Sequence, residues 1–286
     1  MHRDSAAVLL LLVTSLLAQP AHSEKDTNTL PCNLSDVSLA LGPFFTNSSC
    51  LRILWTGVTF SDNVTVIMIH AQLVSVMLIN CTVKNGSALG IIGADEPTDD
   101  MPSGLDITIT GLDATEGSFA IVNSFRNTVF VVDNARVGAA FNFDGWTGVF
   151  LFYNVSFSNT SLTVINTTIY WEYPSSALCS EVPVVRVVGT SELSSQSSIV
   201  FEDSTLNAPT ASALAFEGSK LELREASVWS FLRGKIFGSG HTVAWSVTNV
   251  AVRGDSAITF SAVTIQSTDL TAIHLSGVTG EKAKAG

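Results

Sequence analysis

The chain has 286 residues and a formal charge of −11 at pH 7, with 46% hydrophobic and only 14% charged residues. No basic stripe is present, which argues against a nucleic-acid-binding protein. The low charge and high apolar content also exclude a disordered chain.

Residues 1–23 have the features of a secretory signal peptide. Arg3 lies in a short polar start, the run from Ala6 to Ala18 is apolar, and Ala21-His22-Ser23 is a small-x-small cleavage site. The apolar run is shorter than the roughly 20 residues that a membrane-spanning helix needs. We therefore predict export, as a secreted or cell-surface protein, with an uncleaved anchor as the alternative.

Residues 24–50 precede the regular part of the sequence and are expected to form an N-terminal capping region, because the apolar end of a repeat domain needs a cover. Four cysteines follow the signal, at Cys32, Cys50, Cys81 and Cys179, and three pairings are conceivable. We predict a Cys32–Cys50 disulfide, and whether Cys81 and Cys179 pair stays open. No Cys/His cluster indicates zinc, and no cofactor is predicted.

Residues 51–278 contain a degenerate repeat. Each copy has an apolar residue, a residue of any type, a slot filled by Asn, Asp, Glu or Gly, and an apolar residue three positions after the slot. Most of the slots are 20 to 24 residues apart, so the unit is about 23 residues long. A longer step of 31 residues indicates an insertion in the turn-rich segment 94–104. The slots are Gly57, Asn80, Gly111, Asn134, Asn154, Asp203, Glu225 and Asn249.

A second half-motif is a short alternating apolar strand that is usually followed by Gly or Ser, as in Ser87–Ile91 and Ser212–Phe216. Strands joined by turns and not by helices predict an all-β fold, a single-stranded right-handed parallel β-helix of about 23 residues per coil. The slots would occupy a corner, where Gly and Asn tolerate a left-handed backbone. A β-sandwich is the alternative. Residues 279–286 are predicted to be a flexible tail.

The sequence contains eight Asn-x-Ser/Thr sequons, which in an exported eukaryotic protein would carry glycans on exposed loops. Two of them, at Asn80 and Asn154, coincide with slots, so backbone geometry alone explains an asparagine there. We predict glycosylation at Asn33, Asn47, Asn63, Asn85, Asn159 and Asn166.

Parallel β-helices are common among polysaccharide lyases and hydrolases, whose paired carboxylates move protons. The carboxylates Asp99-Asp100 lie in the insertion, and Arg233-Gly-Lys235 precedes His241. This order differs from that of pectin-hydrolase-like enzymes, so we predict no catalytic residue. Convergent Asp, Glu, Arg or Lys side chains on one exposed strand face would support the enzyme alternative.

Two further groups of residues are candidates for binding a metal ion or a carbohydrate. Asp95, Glu96, Asp99 and Asp100 do not match the spacing of a calcium loop, so no metal site is predicted. The aromatic residues are compatible with either a carbohydrate-stacking platform or core packing, and their spacing does not decide between the two. These residues are Trp146, Trp171, Trp229, Trp245, Tyr153, Tyr170 and Tyr173.

The segments Val131–Asn134, Leu78–Thr82 and Gly86–Leu89 resemble the degenerate repeats of the dispersed gene family of large trypanosomatid surface proteins. The resemblance implies a β-helical surface glycoprotein that contacts a host or matrix protein or glycan, with no catalytic residue to carry over. Members of that family carry transmembrane helices near the C-terminus, so this chain would reach a membrane only through a missing C-terminal region or an uncleaved signal. A truncated, non-functional copy is a further alternative.

Overall fold

The computed structural model describes residues 29–94, 104–139, 141–143, 146–171, 183–209, 212–218, 220–238, 243–247, 250–267, 273–275 and 278–280. Within these ranges the chain forms 34 β-strands. No helix there is long and apolar enough to cross a membrane.

The strands are short, most of them between two and six residues long. In chain order the first half comprises β1 (Thr29–Leu30), β2 (Asn33–Ser35), β3 (Ser38–Ala40), β4 (Phe44–Thr46), β5 (Arg52–Thr56), β6 (Thr59–Ser61), β7 (Val64–Met68), β8 (Ser75–Ile79), β9 (Thr82–Lys84), β10 (Ala88–Ile92), β11 (Leu105–Thr110), β12 (Asp113–Ala114), β13 (Ser118–Arg126), β14 (Thr128–Asp133), β15 (Arg136–Val137), β16 (Phe141–Phe143) and β17 (Trp146–Gly148). The second half comprises β18 (Phe150–Ser158), β19 (Ser161–Ile165), β20 (Thr168–Tyr170), β21 (Val185–Val188), β22 (Thr190–Ser194), β23 (Ser198–Glu202), β24 (Thr205–Ala208), β25 (Leu214–Gly218), β26 (Lys220–Leu223), β27 (Val228–Leu232), β28 (Lys235–Gly238), β29 (Val243–Val247), β30 (Val250–Val252), β31 (Ala257–Ser261), β32 (Thr264–Ser267), β33 (Ile273–Leu275) and β34 (Val278–Gly280).

These strands wind around one core as a parallel β-helix, which confirms the predicted fold. Sheet A has 14 strands and begins with β1, sheet B has nine strands and begins with β2, and sheet C has nine strands and begins with β3. Successive coils pair in parallel in all three sheets. The hairpin β16–β17 is the one antiparallel strand pair in the described ranges, so the β-sandwich alternative is wrong.

One residue per coil has a positive φ at the corner between sheets B and C, as predicted for the slots. A Cβ atom on Gly57 would lie 2.4 Å from Oδ1 of Asp36, and one on Gly111 would lie 2.4 Å from Oδ1 of Asn80. Both the backbone and the side chain of the preceding coil therefore require glycine at these two positions. The nine corner residues are Asp36, Gly57, Asn80, Gly111, Asn134, Asn166, Asp203, Arg233 and Ala262.

The predicted repeat of 23 residues holds only for the early coils. Residues hydrogen-bonded between neighbouring coils are 24 positions apart at Asn63 and Ser87, but 37 apart at Thr160 and Ser197 and 30 apart at Ser197 and Ser227. The later coils are longer because sheet A gains a second row of strands, formed by β22, β26, β30 and β34. The constant period was therefore a wrong prediction for this half.

The added row creates a new corner, and two of the predicted slots lie outside the column of corners between sheets B and C. Asn154 lies inside β18, which pairs with β21 before this residue and with β22 after it. Glu225 lies at a third corner, between β26 and β27. Both have positive φ values, so their local geometry matches the prediction although their place in the coil does not. Asn249 lies outside the described residues.

The β-helix also begins earlier than predicted. Residues 29–40 form β1, β2 and β3, which pair with β4, β5 and β6 of the next coil. The part of the predicted capping region that the structure describes is therefore an integral coil, and the predicted start at residue 51 is wrong. Strands of two or three residues contain too few alternating positions to be detected from sequence. The last strand, β34, ends at Gly280, just beyond the predicted end of the repeat.

The core consists of inward side chains that stack in columns from coil to coil. Phe201, Phe231 and Phe260 are in register on β23, β27 and β31. Their rings stack with centroid distances of 4.9 and 5.1 Å, close to the spacing of the strands themselves. Burial of such columns is the main stabilising contribution to a β-helix.

Candidate functional site

Charged side chains converge on the outer face of the second strand row of sheet A. Glu192 on β22 and Glu222 on β26 are in register. Nζ of Lys220 lies 2.5 Å from Oε2 of Glu222, and Nε of Arg253 lies 3.1 Å from Oε1 of the same residue. Arg224 forms an ion pair with Glu192. We call these five residues the ionic cluster.

The electrostatics of the ionic cluster favour a charged carboxylate. Glu222 is only 8% exposed, yet the hydrogen bond from Lys220 lowers the pKa of Glu222, against the opposing effect of burial. The positive charges of Lys220, Arg253 and Arg224 lower it further. Glu222 is therefore ionised at neutral pH and can accept a proton or bind a cation, but it is not suited to donate a proton as a general acid.

Among the other charged candidates from the sequence, those that the structure describes lie outside the ionic cluster. Arg233 forms ion pairs with Glu202 and Asp203 at the corner between sheets B and C, at 3.0 Å in the case of Asp203. Lys235 lies on the outer face of sheet C. Asp99, Asp100 and His241 lie outside the described residues, as do Asp95 and Glu96. Among the described residues no group of three His, Cys, Asp or Glu side chains could hold a metal ion.

The aromatic residues divide between core and surface. Trp171 and Trp229 are buried, and Trp229 packs against Phe152 and Phe216, so core packing is the correct interpretation for both tryptophans. Tyr153 packs against a small apolar cluster that also contains Leu151 and Val188. The side chains of Trp146 and Trp245, and all of Tyr173, lie outside the described structure.

Tyr170 is different, because it lies on the outer face of sheet C. It is in register with Asn207, which is in register with Phe237, which in turn is in register with Gln266. Tyr170 and Phe237 are half-buried, whereas Asn207 and Gln266 are exposed. We call these four residues the aromatic row. Phe237 was not among the residues predicted from the sequence. The alternation in β28 shows which residues face outward only once Ile236 is known to face the core.

The structure places five of the six predicted glycosylation sites at accessible positions. Asn33, Asn85, Asn159 and Asn166 are exposed and Asn47 is half-buried. Two of the exposed amides also bond to the preceding coil, since Nδ2 of Asn159 donates to Oδ1 of Asn127 at 2.8 Å and Nδ2 of Asn85 donates to Oδ2 of Asp62 at 3.2 Å. Glycosylation at these five asparagines stays a prediction.

Asn63 is the exception among the predicted glycosylation sites. It is only 5% exposed, and its Nδ2 atom donates to the carbonyl oxygens of Leu39 at 2.9 Å and Ser61 at 3.1 Å. A glycan on Nδ2 would replace one of these donated hydrogens and so break a hydrogen bond of a buried side chain. The prediction of a glycan at Asn63 is therefore wrong, because this asparagine closes a corner of the β-helix.

The cysteines agree with the predicted pairing. Cys32 and Cys50 form a disulfide with a Cα–Cα distance of 5.5 Å, which links β1–β2 to the segment before β5. Cys81 is free and buried, and burial raises the pKa of its thiol. A buried, protonated thiol behaves as a small apolar side chain. Cys179 lies outside the described residues.

Comparisons with known proteins do not indicate a function for this chain. No family model matches the chain. No curated protein matches it either. Among solved structures it is similar to the A-module of the mannuronan C-5 epimerase AlgE4 of Azotobacter vinelandii, with 10% identity over 97% of this chain and 95% of that chain and a TM-score of 0.20. At this level the similarity carries no argument about activity, so the outer faces themselves are the basis for a functional proposal.

Proposed function

We propose that the protein is an exported, non-catalytic β-helix whose outer faces mediate adhesion to a host cell or matrix surface. One observation carries the proposal: sheets B and C each present nine strands in register, a face roughly 40 Å long at the usual strand spacing. Leu54 and Met77 are adjacent on sheet B and exposed, and Val129 is exposed on the same sheet. Adjacent exposed apolar side chains such as those of Leu54 and Met77 are typical of interaction surfaces.

Three features of the sequence support the cellular setting of this proposal. The signal-like residues 1–23 favour export, and the sequons favour a glycoprotein. The resemblance to trypanosomatid surface proteins favours contact with a host. The partner would be a protein or glycan of the host or matrix.

The test is to express the full chain in a secreting eukaryotic host and to measure its binding to cell monolayers and to immobilised matrix proteins. We expect saturable binding that Leu54→Glu/Met77→Glu weakens by roughly tenfold or more, since charge would be placed in an apolar contact. Leu41→Glu is the matched control, because Leu41 is 87% exposed and lies at a corner away from this face. Absence of wild-type binding to every surface would contradict the proposal.

A polysaccharide-active enzyme is the second candidate, and the ionic cluster is the observation that favours it. Glu192 and Glu222 are neighbouring carboxylates on an exposed strand face with cations beside them. Catalysis through Glu222 predicts that Glu222→Gln abolishes release of reducing ends from a polysaccharide. Glu217→Gln, which alters the nearby ion pair with Arg186 at 2.5 Å, should retain activity. No turnover by the wild-type protein would eliminate this candidate.

A further inference from the structure

The aromatic row combines large aromatic rings with amide side chains on the outer face of one sheet. Tyr170 and Phe237 place large apolar rings on the outer face of sheet C, and Asn207 lies between them in register. Large aromatic side chains that remain partly exposed are enriched at binding surfaces. The amides of Asn207 and Gln266 provide both donors and acceptors beside the rings.

The spacing of the two rings follows from the fold. Tyr170 on β20 and Phe237 on β28 are separated by one strand, β24, which places their backbones roughly 10 Å apart along the axis of the β-helix. This distance is close to the repeat of two sugars in an extended β-linked chain, in which every second sugar presents the same face. A chain running along the axis would therefore pass over both residues, whose strands are separated by about the length of two sugars.

The ring of Tyr170 lies low on the sheet. A Cβ atom on Gly138, in the preceding coil, would lie 3.0 Å from Cζ of Tyr170. Glycine at this position leaves room for the ring beside the backbone of the neighbouring coil. The ring is thus supported by the sheet, as a platform for a flat ligand requires.

A second outward row accompanies the aromatic row, two residues earlier in each strand. It contains Thr168, Thr205, Lys235 and Thr264 in register. Lys235 is the only charged residue among the outward positions of these four strands. The same row continues on the preceding coils with Arg136 and Asp113, whose opposite charges offset each other. The face therefore offers hydroxyl and amide groups on a surface of low net charge, which suits an uncharged polyhydroxylated ligand better than a polyanion.

We infer that this face of sheet C binds an extended, neutral, β-linked polysaccharide along the axis of the β-helix. The apolar C–H faces of the sugars stack on Tyr170 and Phe237. The sugar hydroxyls bond to Asn207 and to the threonines of the second outward row. The inference rests on the proposed adhesive function and specifies its partner class as a glycan.

The test is calorimetric titration of the secreted full chain with cellohexaose and chitohexaose, which are neutral, and with an oligogalacturonate, which is acidic. We expect binding of at least one neutral hexasaccharide and little binding of the acidic one. Tyr170→Ala and Phe237→Ala should each weaken binding by roughly tenfold, as expected for loss of one stacking ring. Tyr170→Phe and Phe237→Tyr, which retain the rings, should bind within about threefold of wild type.

Leu51→Ala/Val74→Ala is the matched control, because it removes exposed apolar side chains that belong neither to sheet C nor to the proposed adhesive surface. Circular dichroism of each variant shows whether the fold is retained. Absence of binding to both neutral hexasaccharides, preference for the acidic one, or equal binding by the ring-deleted variants would overturn the inference. If the wild type still adheres to cells or matrix in that case, the proposed function stands and only its glycan partner is wrong; loss of adhesion as well would contradict both.

Discussion

Single residues at the corners set the local geometry of each coil. The slot residues adopt positive φ angles. The residue type that fits at one slot depends on the side chain at the slot of the preceding coil. Gly111 is necessary above Asn80 because a side chain there would meet Oδ1 of Asn80. An asparagine or aspartate and a glycine therefore act as a pair across two coils.

Gly111→Ala should lower the free energy of unfolding by roughly 2 kcal/mol or more, from the left-handed backbone and the close contact combined. Gly86→Ala is the matched control, because Gly86 has a φ of +70° and nothing within 4 Å of its would-be Cβ. The control should show only the backbone penalty of about 1 kcal/mol. Urea denaturation measures both changes, and equal losses would show that the contact with Asn80 contributes nothing.

His70 introduces a pH dependence at the residue scale. Its Nε2 atom is buried without a partner, and burial lowers the pKa of His70, opposed in part by a hydrogen bond with the backbone of Cys50. The folded state thus disfavours the protonated form. The folded state is most stable at pH values above about 6.5, the pKa of a histidine in the unfolded chain. Its stability falls as the pH drops from there towards the lower pKa that His70 has in the folded state.

His70→Gln should remove this dependence. We expect the urea midpoint of the wild-type protein to fall between pH 7.5 and 5.5, and that of the variant to change much less, since glutamine does not titrate. Glu222→Gln serves as the control, because Glu222 has its lowered pKa in a more acidic range and should leave the change between pH 7.5 and 5.5 intact. An unchanged pH profile for His70→Gln would refute the assignment.

Strands are connected at the element scale by a buried column of hydroxyl groups at the start of sheet B. The backbone N–H of Thr160 donates to Oγ of Ser197 at 3.1 Å, that of Ser197 to Oγ of Ser227 at 3.1 Å, and that of Ser227 to Oγ of Ser256 at 3.0 Å. Each hydroxyl satisfies a buried donor of the coil before it. The column explains why Ser and Thr recur at these positions in an apolar interior.

Ser227→Ala should cost about 1 kcal/mol, because the buried N–H of Ser197 loses its bond to Oγ of Ser227 and keeps only the one to the carbonyl oxygen of Ser194 at 3.2 Å. Ser198→Ala is the control, since Ser198 begins the adjacent strand β23 and is half-exposed; its effect should be within about 0.5 kcal/mol. Thermal or urea unfolding of both variants gives the comparison. A loss for Ser227→Ala no larger than that of the control would rule out the column as a stabilising element.

The whole molecule is quasi-one-dimensional, because each coil contacts only its neighbours. The Cys32–Cys50 disulfide closes a separation of 18 residues at the first coil, where pairing exists on one side only. Its contribution should therefore remain local to the end of the β-helix and should not extend along its length.

Replacing Cys32 and Cys50 by alanine should destabilise the first coil by about 3 kcal/mol, the usual value for a loop of this size. Hydrogen exchange should rise in β2 to β5 and stay unchanged in β23 and β27. Cys81→Ala is the matched control, since this cysteine is free and lies beyond the first coil. Increased exchange along the entire chain would show that the β-helix unfolds as one cooperative unit.

The architecture was predictable because its signals are local. Alternation in segments such as Ser87–Ile91 and the slot residues of the early coils both arise from neighbouring residues, and together they indicate stacked strands with left-handed corners. The sequence also indicated the Cys32–Cys50 pair. The short strands β1 to β3 escaped prediction because two or three residues carry no detectable period.

The surfaces depended on tertiary structure. Glu192 and Glu222 are 30 residues apart, and Tyr170 and Phe237 belong to coils of unequal length, so only the register of stacked strands brings each pair together. The burial of Asn63 follows from its contact with Leu39 of the preceding coil. The sequence by itself thus determined what each coil is made of, through local backbone preference and alternation. Tertiary structure decided which residues of different coils meet, because that depends on the variable length of the chain between them.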